Sequence, residues 1–171
     1  MTSHWIPDKE YMEILKKLND RDQKIVRLLR FTGYRVDDVL YSRCWQWQAP
    51  KVTIKEAKTG KLRTVDRTPA MKLITEALIG DRHILEYLVP TRHRRQNRRK
   101  KIHRTTLWRH FEAAVKKCGY DGRGYTLHSL RKCYAVDLLR KTGSFVAVQE
   151  DLGHKYLSTT LLYLKDALTL L

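Results

Sequence analysis

The stretch Lys51-Val52-Thr53-Ile54-Lys55-Glu56 alternates polar and apolar side chains with period two, Thr59-Gly60 follows it, and Lys61–Asp66 runs on beyond. A strand sends successive side chains to opposite faces, so this alternation around a glycine turn predicts an antiparallel β-hairpin. The outer side of that hairpin is expected to be very basic, carrying Lys51, Lys55, Lys58, Lys61 and Arg63.

Outward from the hairpin the hydrophobic period becomes that of a helix. Upstream, Asp8–Leu18 sets Tyr11, Ile14, Leu15 and Leu18 on one face after Pro7, a residue suited to a helix start. A second helix over about Asp22–Thr32 stacks Ile25, Val26, Leu28 and Leu29, with Gly33 as its left-handed cap, and Val36–Tyr41 reads as a short third. Downstream, Thr68 as N-cap and Pro69 as first residue open a helix with Met71, Leu73, Ile74, Ala77 and Leu78 that Gly80 ends. Thr105–Cys118 is amphipathic through Leu107, Phe111, Ala114, Val115 and Cys118. The chain then reads as helices over Leu127–Lys141, Phe145–Leu152 and about Ser158–Ala167, separated by Gly143 and Gly153. No repeat or low-complexity linker divides it. The expectation is one domain over 1–171, mainly α with a small antiparallel β-hairpin, an α+β fold.

Charge narrows the function. Among 171 residues, 35 Lys and Arg face 18 Asp and Glu, a formal net charge of +17. Self-repulsion on that scale normally implies a polyanionic partner: nucleic acid is the first reading, an acidic lipid or protein the rival. The longest hydrophobic run is four residues, against about 20 for a membrane helix. Met1–Asp8 lacks the apolar stretch of a secretory signal. Cys44, Cys118 and Cys133 are odd in number and contain no CxxC pair, which argues against a disulfide framework or zinc ribbon. These features read as a soluble, cytoplasmic protein.

Within Arg92–Arg104 there are eight Lys and Arg and no acid: Arg92, Arg94, Arg95, Arg98, Arg99, Lys100, Lys101 and Arg104. Such a run is either a solvated loop or an arm that grips phosphates. As an arm it would join Lys51, Lys55, Lys61 and Arg63 in binding DNA.

The familiar phosphate loop is absent, for Gly119 and Gly124 have the right offset but Tyr125 follows. HExxH, an EF-hand loop and GxSxG are also missing, and the carboxylates show no two-metal clustering. Chemistry on a phosphodiester would then rest on Arg, Lys and His, with no metal and no cofactor. Five stretches supply such groups: Thr32-Gly33-Tyr34-Arg35-Val36-Asp37-Asp38, Lys58-Thr59-Gly60-Lys61, His128-Ser129-Leu130-Arg131, Leu152-Gly153-His154, and Tyr163 nine residues after that histidine. His128 and Arg131, three apart, share a helix face.

Taken in this order, the five stretches resemble the catalytic domain of the tyrosine recombinase (phage integrase) family, whose pattern reads TGxR, a hairpin Lys, HxxR, LGH and a Tyr nine residues on. The resemblance spans Asp8 to Lys165. It implies a site-specific DNA recombinase that cleaves strands through a 3′-phosphotyrosyl intermediate without metal. Tyr163 would be the nucleophile and His128 would take its proton. Arg35 and Arg131 would hold the nonbridging oxygens, with His154 adding a donor. Lys58 would protonate the leaving 5′ oxygen, and Asp38 matches the carboxylate that buttresses the first arginine. The partners implied are double-stranded DNA, a homotetramer on two sites and accessory DNA-bending proteins, in a prokaryotic or phage-encoded setting. A type IB topoisomerase-like relaxing enzyme and a non-catalytic DNA-binding regulator of the same fold are the alternatives.

Two departures stand out. Val65-Asp66-Arg67 replaces the family's Val-Pro-Leu run after the hairpin. The chain also begins almost at the catalytic domain, without the usual N-terminal DNA-clamping domain, as a minimal recombinase or a fragment would. The apolar tail Ala167, Leu168, Leu170 and Leu171 would either cap its own core or dock on a neighbouring subunit.

Overall fold

The computed structural model describes residues 3–91 and 100–168. Its helices are α1 (Asp8–Lys16), α2 (Asp20–Thr32), α3 (Val36–Tyr41), α4 (Pro69–Ile79), α5 (Arg104–Lys117), α6 (Leu127–Thr142), α7 (Phe145–Leu152) and α8 (Leu157–Leu168). The strands β1 (Lys51–Lys55) and β2 (Leu62–Asp66) lie between α3 and α4, and single 3₁₀ turns cover Cys44–Trp47 and Asp121–Arg123. The architecture is mainly helical with one two-stranded antiparallel sheet.

Helix ends shift where side chains cap them. α2 starts earlier than its apolar stripe because Asn19 Oδ1 accepts from Asp22 N at 3.1 Å. α5 starts at Arg104 because His103 Nδ1 accepts from Thr105 N at 3.3 Å. α1 stops short of Leu18 as its last turn tightens, with Leu18 N donating to Leu15 O at 3.0 Å.

The core lies where α2 packs on α6, with α7 and α8 folding back over α6. Ile25, Val26, Leu28 and Leu29 from α2 meet Leu130, Cys133, Ala135 and Val136 from α6, all buried. One hydrophobic cluster runs from Trp5 to Ala167.

The hairpin pairs Lys51 with Asp66 and Lys55 with Leu62. Val52 and Ile54 of β1 face inward beside Val65 and Arg63 of β2. Here the structure corrects the expected basic outer side, because Arg63 is buried and Leu62 stands exposed. Parity is the reason. Burying Val65 puts Arg63 on the same face and turns Leu62 outward. Arg63 is therefore a packing residue: Nε donates to Asp151 O and Nη2 to Asp151 Oδ2, both at 2.6 Å. Lys51, Lys55, Lys58 and Lys61 remain exposed. The sheet edge is closed beyond Asp66, where Arg67 N donates to Pro50 O at 2.8 Å and its guanidinium to Gln48 O and Thr75 Oγ1.

The stems of the basic segment meet: Thr91 N donates to Lys100 O at 3.0 Å and Ile102 N to Val89 O at 2.9 Å. Lys101 stacks over Tyr41. Arg92, Arg94, Arg95, Arg98 and Arg99 lie outside the described residues. In the tail Ala167 is buried and Leu168 half exposed, while Leu170 and Leu171 also lie outside them.

Candidate active site

Six chain segments bring polar groups to one place: the end of α2, the start of α3, the β1–β2 turn, the start of α6, the end of α7, and α8. The first is built on Gly33. Its φ of +62° suits glycine, and a Cβ there would lie 2.4 Å from the Tyr134 ring of α6. That close approach lets Gly33 O accept from Arg131 Nη1 at 2.7 Å. Arg131 Nη2 donates to Leu152 O at 2.7 Å, so one guanidinium ties together the ends of α2 and α7. Arg131 is only 1% exposed, and its Nε has no hydrogen-bond partner among the described residues. Burial, with the positive charges of Arg35 and Arg63, lowers its pKa.

Arg35 precedes α3 as its N-cap residue, and its backbone N–H donates to Asp38 Oδ2 at 3.2 Å. The other Asp38 oxygen accepts from Ala57 N at 2.9 Å. Asp38 thus holds the backbone on both sides of the cleft rather than the Arg35 guanidinium. Burial raises the Asp38 pKa despite those two amides. The carboxylate that meets the guanidinium is Glu56, whose Oε2 lies 2.7 Å from Arg35 Nη1. Its Oε1 accepts from Arg131 Nη1 at 3.4 Å. Burial alone would raise the Glu56 pKa, but Arg35, Thr59 and Arg131 hold it below the usual carboxylate range.

Tyr163, on α8, sits between two imidazoles. Its hydroxyl lies 2.5 Å from His128 Nε2, and the His128 and His154 ring centroids lie 5.2 and 4.7 Å from its own. His154 follows Gly153, the left-handed cap of α7, and its Nδ1 is 2.9 Å from Thr160 Oγ1. His128, part of whose ring stays open to solvent, has its pKa pushed down to about 4 by desolvation and by Arg131, Lys132, Arg35 and Arg104. Desolvation, with Arg131 and Arg35, brings His154 to about 4 as well, with Glu56 opposing. Both rings are therefore neutral at pH 7, and a neutral imidazole with Nε2 unprotonated is able to accept from the Tyr163 hydroxyl. Burial raises the Tyr163 pKa, while Arg131 and Arg35 pull it back toward ionisation.

A cleft of about 180 Å³ adjoins these groups; its polar wall includes Arg35, Lys58, Arg104, His128 and Arg131, while Tyr163 and His154 lie behind His128 and Arg131 and do not line it. Lys58 stands exposed in the turn. Arg104, at its edge, pairs with Asp37 at 3.0 Å. Lys51, Lys55, Lys61 and Lys100 are exposed on the surface.

Three neighbours escaped the sequence reading. Glu56 directly follows β1 and continues its alternation by one residue, where its place on the inward face was the available signal. Thr160 is one of two adjacent threonines on α8, and helical spacing puts it a turn before Tyr163. Lys132 is 6% exposed with Nζ 6.0 Å from the Tyr163 ring, and it directly follows Arg131.

The profile of the phage integrase family matches residues 4–168. Tyrosine recombinase XerA of Pyrococcus furiosus is 32% identical over 158 residues, covering 91% of this chain and 54% of the relative. The chain thus spans about half the length of the curated relatives it matches. A lambda integrase dimer bound to a COC′ core site superposes with a TM-score of 0.75 at 22% identity, over 97% of this chain and 60% of that one. A lambda integrase tetramer bound to a Holliday junction gives 0.72 at 22% identity, over 94% and 48%.

Proposed function

The chain belongs to the phage integrase family, and we propose that its cleft cuts and rejoins DNA through Tyr163 as a site-specific recombinase. The observation that carries this reading is the 2.5 Å contact from the Tyr163 hydroxyl to a neutral His128, beside two buried or half-buried arginines.

In this reading a backbone phosphate enters the cleft. Arg35 and Arg131 stabilise the extra charge of the pentavalent state, Arg131 through its unpartnered Nε and Arg35 from the cleft wall. His154 turns its Nε2 toward the same group while Thr160 holds Nδ1. A phenol is about one-thousandth ionised at pH 7, so it needs a base. The arriving anion offsets the cations that depress His128, and its basicity rises as the substrate binds. The Tyr163 oxygen bonds to phosphorus, its proton passes to His128, and the P–O5′ bond breaks with Lys58 delivering a proton to the leaving oxygen. The products are a 3′-phosphotyrosyl link and a 5′-hydroxyl. The ester conserves the phosphodiester energy, so the reverse step joins a new strand without ATP.

The single hydrophobic cluster supports reading the described residues as one catalytic domain. The net charge and the exposed hairpin lysines support a duplex DNA partner. The lambda integrase tetramer on a Holliday junction is the basis for proposing a homotetramer on two sites; accessory DNA-bending proteins rest on the family resemblance alone. Among the described residues no helix is long and apolar enough to cross a membrane, and work on chromosomal or phage DNA would place the chain in a prokaryotic cytoplasm.

A nicked suicide duplex tests the chemistry. The chain should become covalently attached, Tyr163→Phe should bind but form no adduct, and sequencing the trapped ends maps the site. Adduct formation by Tyr163→Phe would remove the nucleophile assignment.

A further inference from the structure

We propose that Glu56 is a positioning residue that locks the Lys58 turn to the arginine pair, so that proton donor and phosphate ligands meet the scissile group in register. This rests on the reading of Tyr163 and Lys58 given above.

The turn is clasped at its base by Glu56. Its N–H donates to Lys61 O and its carbonyl accepts from Gly60 N, both at 2.9 Å, enclosing residues 57–60. The carboxylate reaches the other way, with Oε2 2.7 Å from Arg35 Nη1 and Oε1 accepting from Arg131 Nη1 at 3.4 Å. Oε2 also accepts from Thr59 Oγ1 at 2.8 Å, a residue inside the same turn. Glu56 is 3% exposed, so these contacts are made out of water, where charge pairing is strong. Arg131 keeps independent anchors on Gly33 O and Leu152 O. Lys58 itself is exposed. Removing the Glu56 charge therefore leaves Arg131 on its other anchors and the backbone clasp intact, but loosens the side-chain link from the turn through Thr59 to Arg35, and it is the lysine that loses its position relative to the arginines.

The mapped suicide duplex, made with an ordinary phosphodiester or with sulfur as the 5′ bridging atom, separates these effects. A thiolate departs without needing a proton, so the sulfur duplex bypasses Lys58. The wild-type chain must first form its adduct on the ordinary duplex; if it does not, the proposed function fails before Glu56 is in question. For Glu56→Gln the expected results are DNA affinity within about 3-fold of wild type and an adduct rate at saturating DNA lower by about 10–100-fold. Most of that loss should return on the sulfur duplex. Thr59→Val, a change in an exposed turn, should show the same pattern at about 3–10-fold and serves if Glu56→Gln does not fold. Wild-type rates in the folded variants, or a loss equal on both duplexes, would overturn the proposal.

Discussion

Thr160 Oγ1 lies 2.9 Å from His154 Nδ1, so the helix that carries Tyr163 also orients the imidazole beside it. The hydroxyl holds the ring through Nδ1 and leaves Nε2 as the nitrogen for any further partner. Thr160→Val keeps the shape but leaves Nδ1 without its partner, which costs about 1–3 kcal/mol. Adduct formation should slow by about 5–150-fold by that cost, whereas Thr160→Ser should stay near wild type. Equal rates for valine and serine would show that the hydroxyl does not orient His154.

Acidification has a defined sign. His128 and His154 take up protons near pH 6.5 when unfolded but only near pH 4 in the folded chain. Between those values the unfolded state binds more protons, so stability is complete above pH 6.5 and falls as the pH drops toward 4. Imidazole proton shifts of the DNA-free chain should stay at their neutral positions from pH 7 to 5.5. A midpoint near 6.5 for either ring would contradict the geometry described.

Gly33→Ala should be among the most damaging single-methyl changes. The residue has φ +62°, and the new Cβ would meet Tyr134 at 2.4 Å. Left-handed strain costs about 1–2 kcal/mol and overpacking about 1–3 more. Urea unfolding should show a loss of about 2–5 kcal/mol by that sum. A loss of only about 1–2 kcal/mol would mean that the Tyr134 ring moves aside freely and the backbone strain alone remains.

Arg63 and the exposed hairpin lysines should separate cleanly. Arg63→Ala removes charged hydrogen bonds to Asp151 and should destabilise the fold by about 2–3 kcal/mol. Lys51→Ala, Lys55→Ala and Lys61→Ala together should leave stability nearly unchanged. They should flatten the salt dependence of DNA binding by about 0.9 in log–log slope for each phosphate no longer neutralised. An unchanged slope would place the DNA elsewhere.

Much of the fold was legible because its signals are local. The period-two run at Val52–Glu56, the Thr68-Pro69 start and the glycines at 33, 80, 143 and 153 mark elements within a few residues of where they occur. Misplaced ends such as those of α2 and α5 came from caps, Asn19 and His103, lying outside the apolar stripe. The inward turn of Arg63 was harder to read, because two parities compete in Lys61–Asp66 and only the burial of Val65 against the helices chooses between them.

The order and spacing of Arg35, Lys58, His128, Arg131, His154 and Tyr163 are properties of the sequence, and so is the charge that calls for a polyanion. Their convergence on one site is tertiary, since these groups come from segments up to 128 positions apart in the chain. The partner of the Arg35 guanidinium also belongs to the tertiary structure: a chain read locally offers Asp38, three residues on, whereas packing delivers Glu56 from the hairpin. Helix and strand signals depend on side-chain periods over a few residues. Which charges meet depends on how buried faces fit, and that is decided only when the helices close on the sheet.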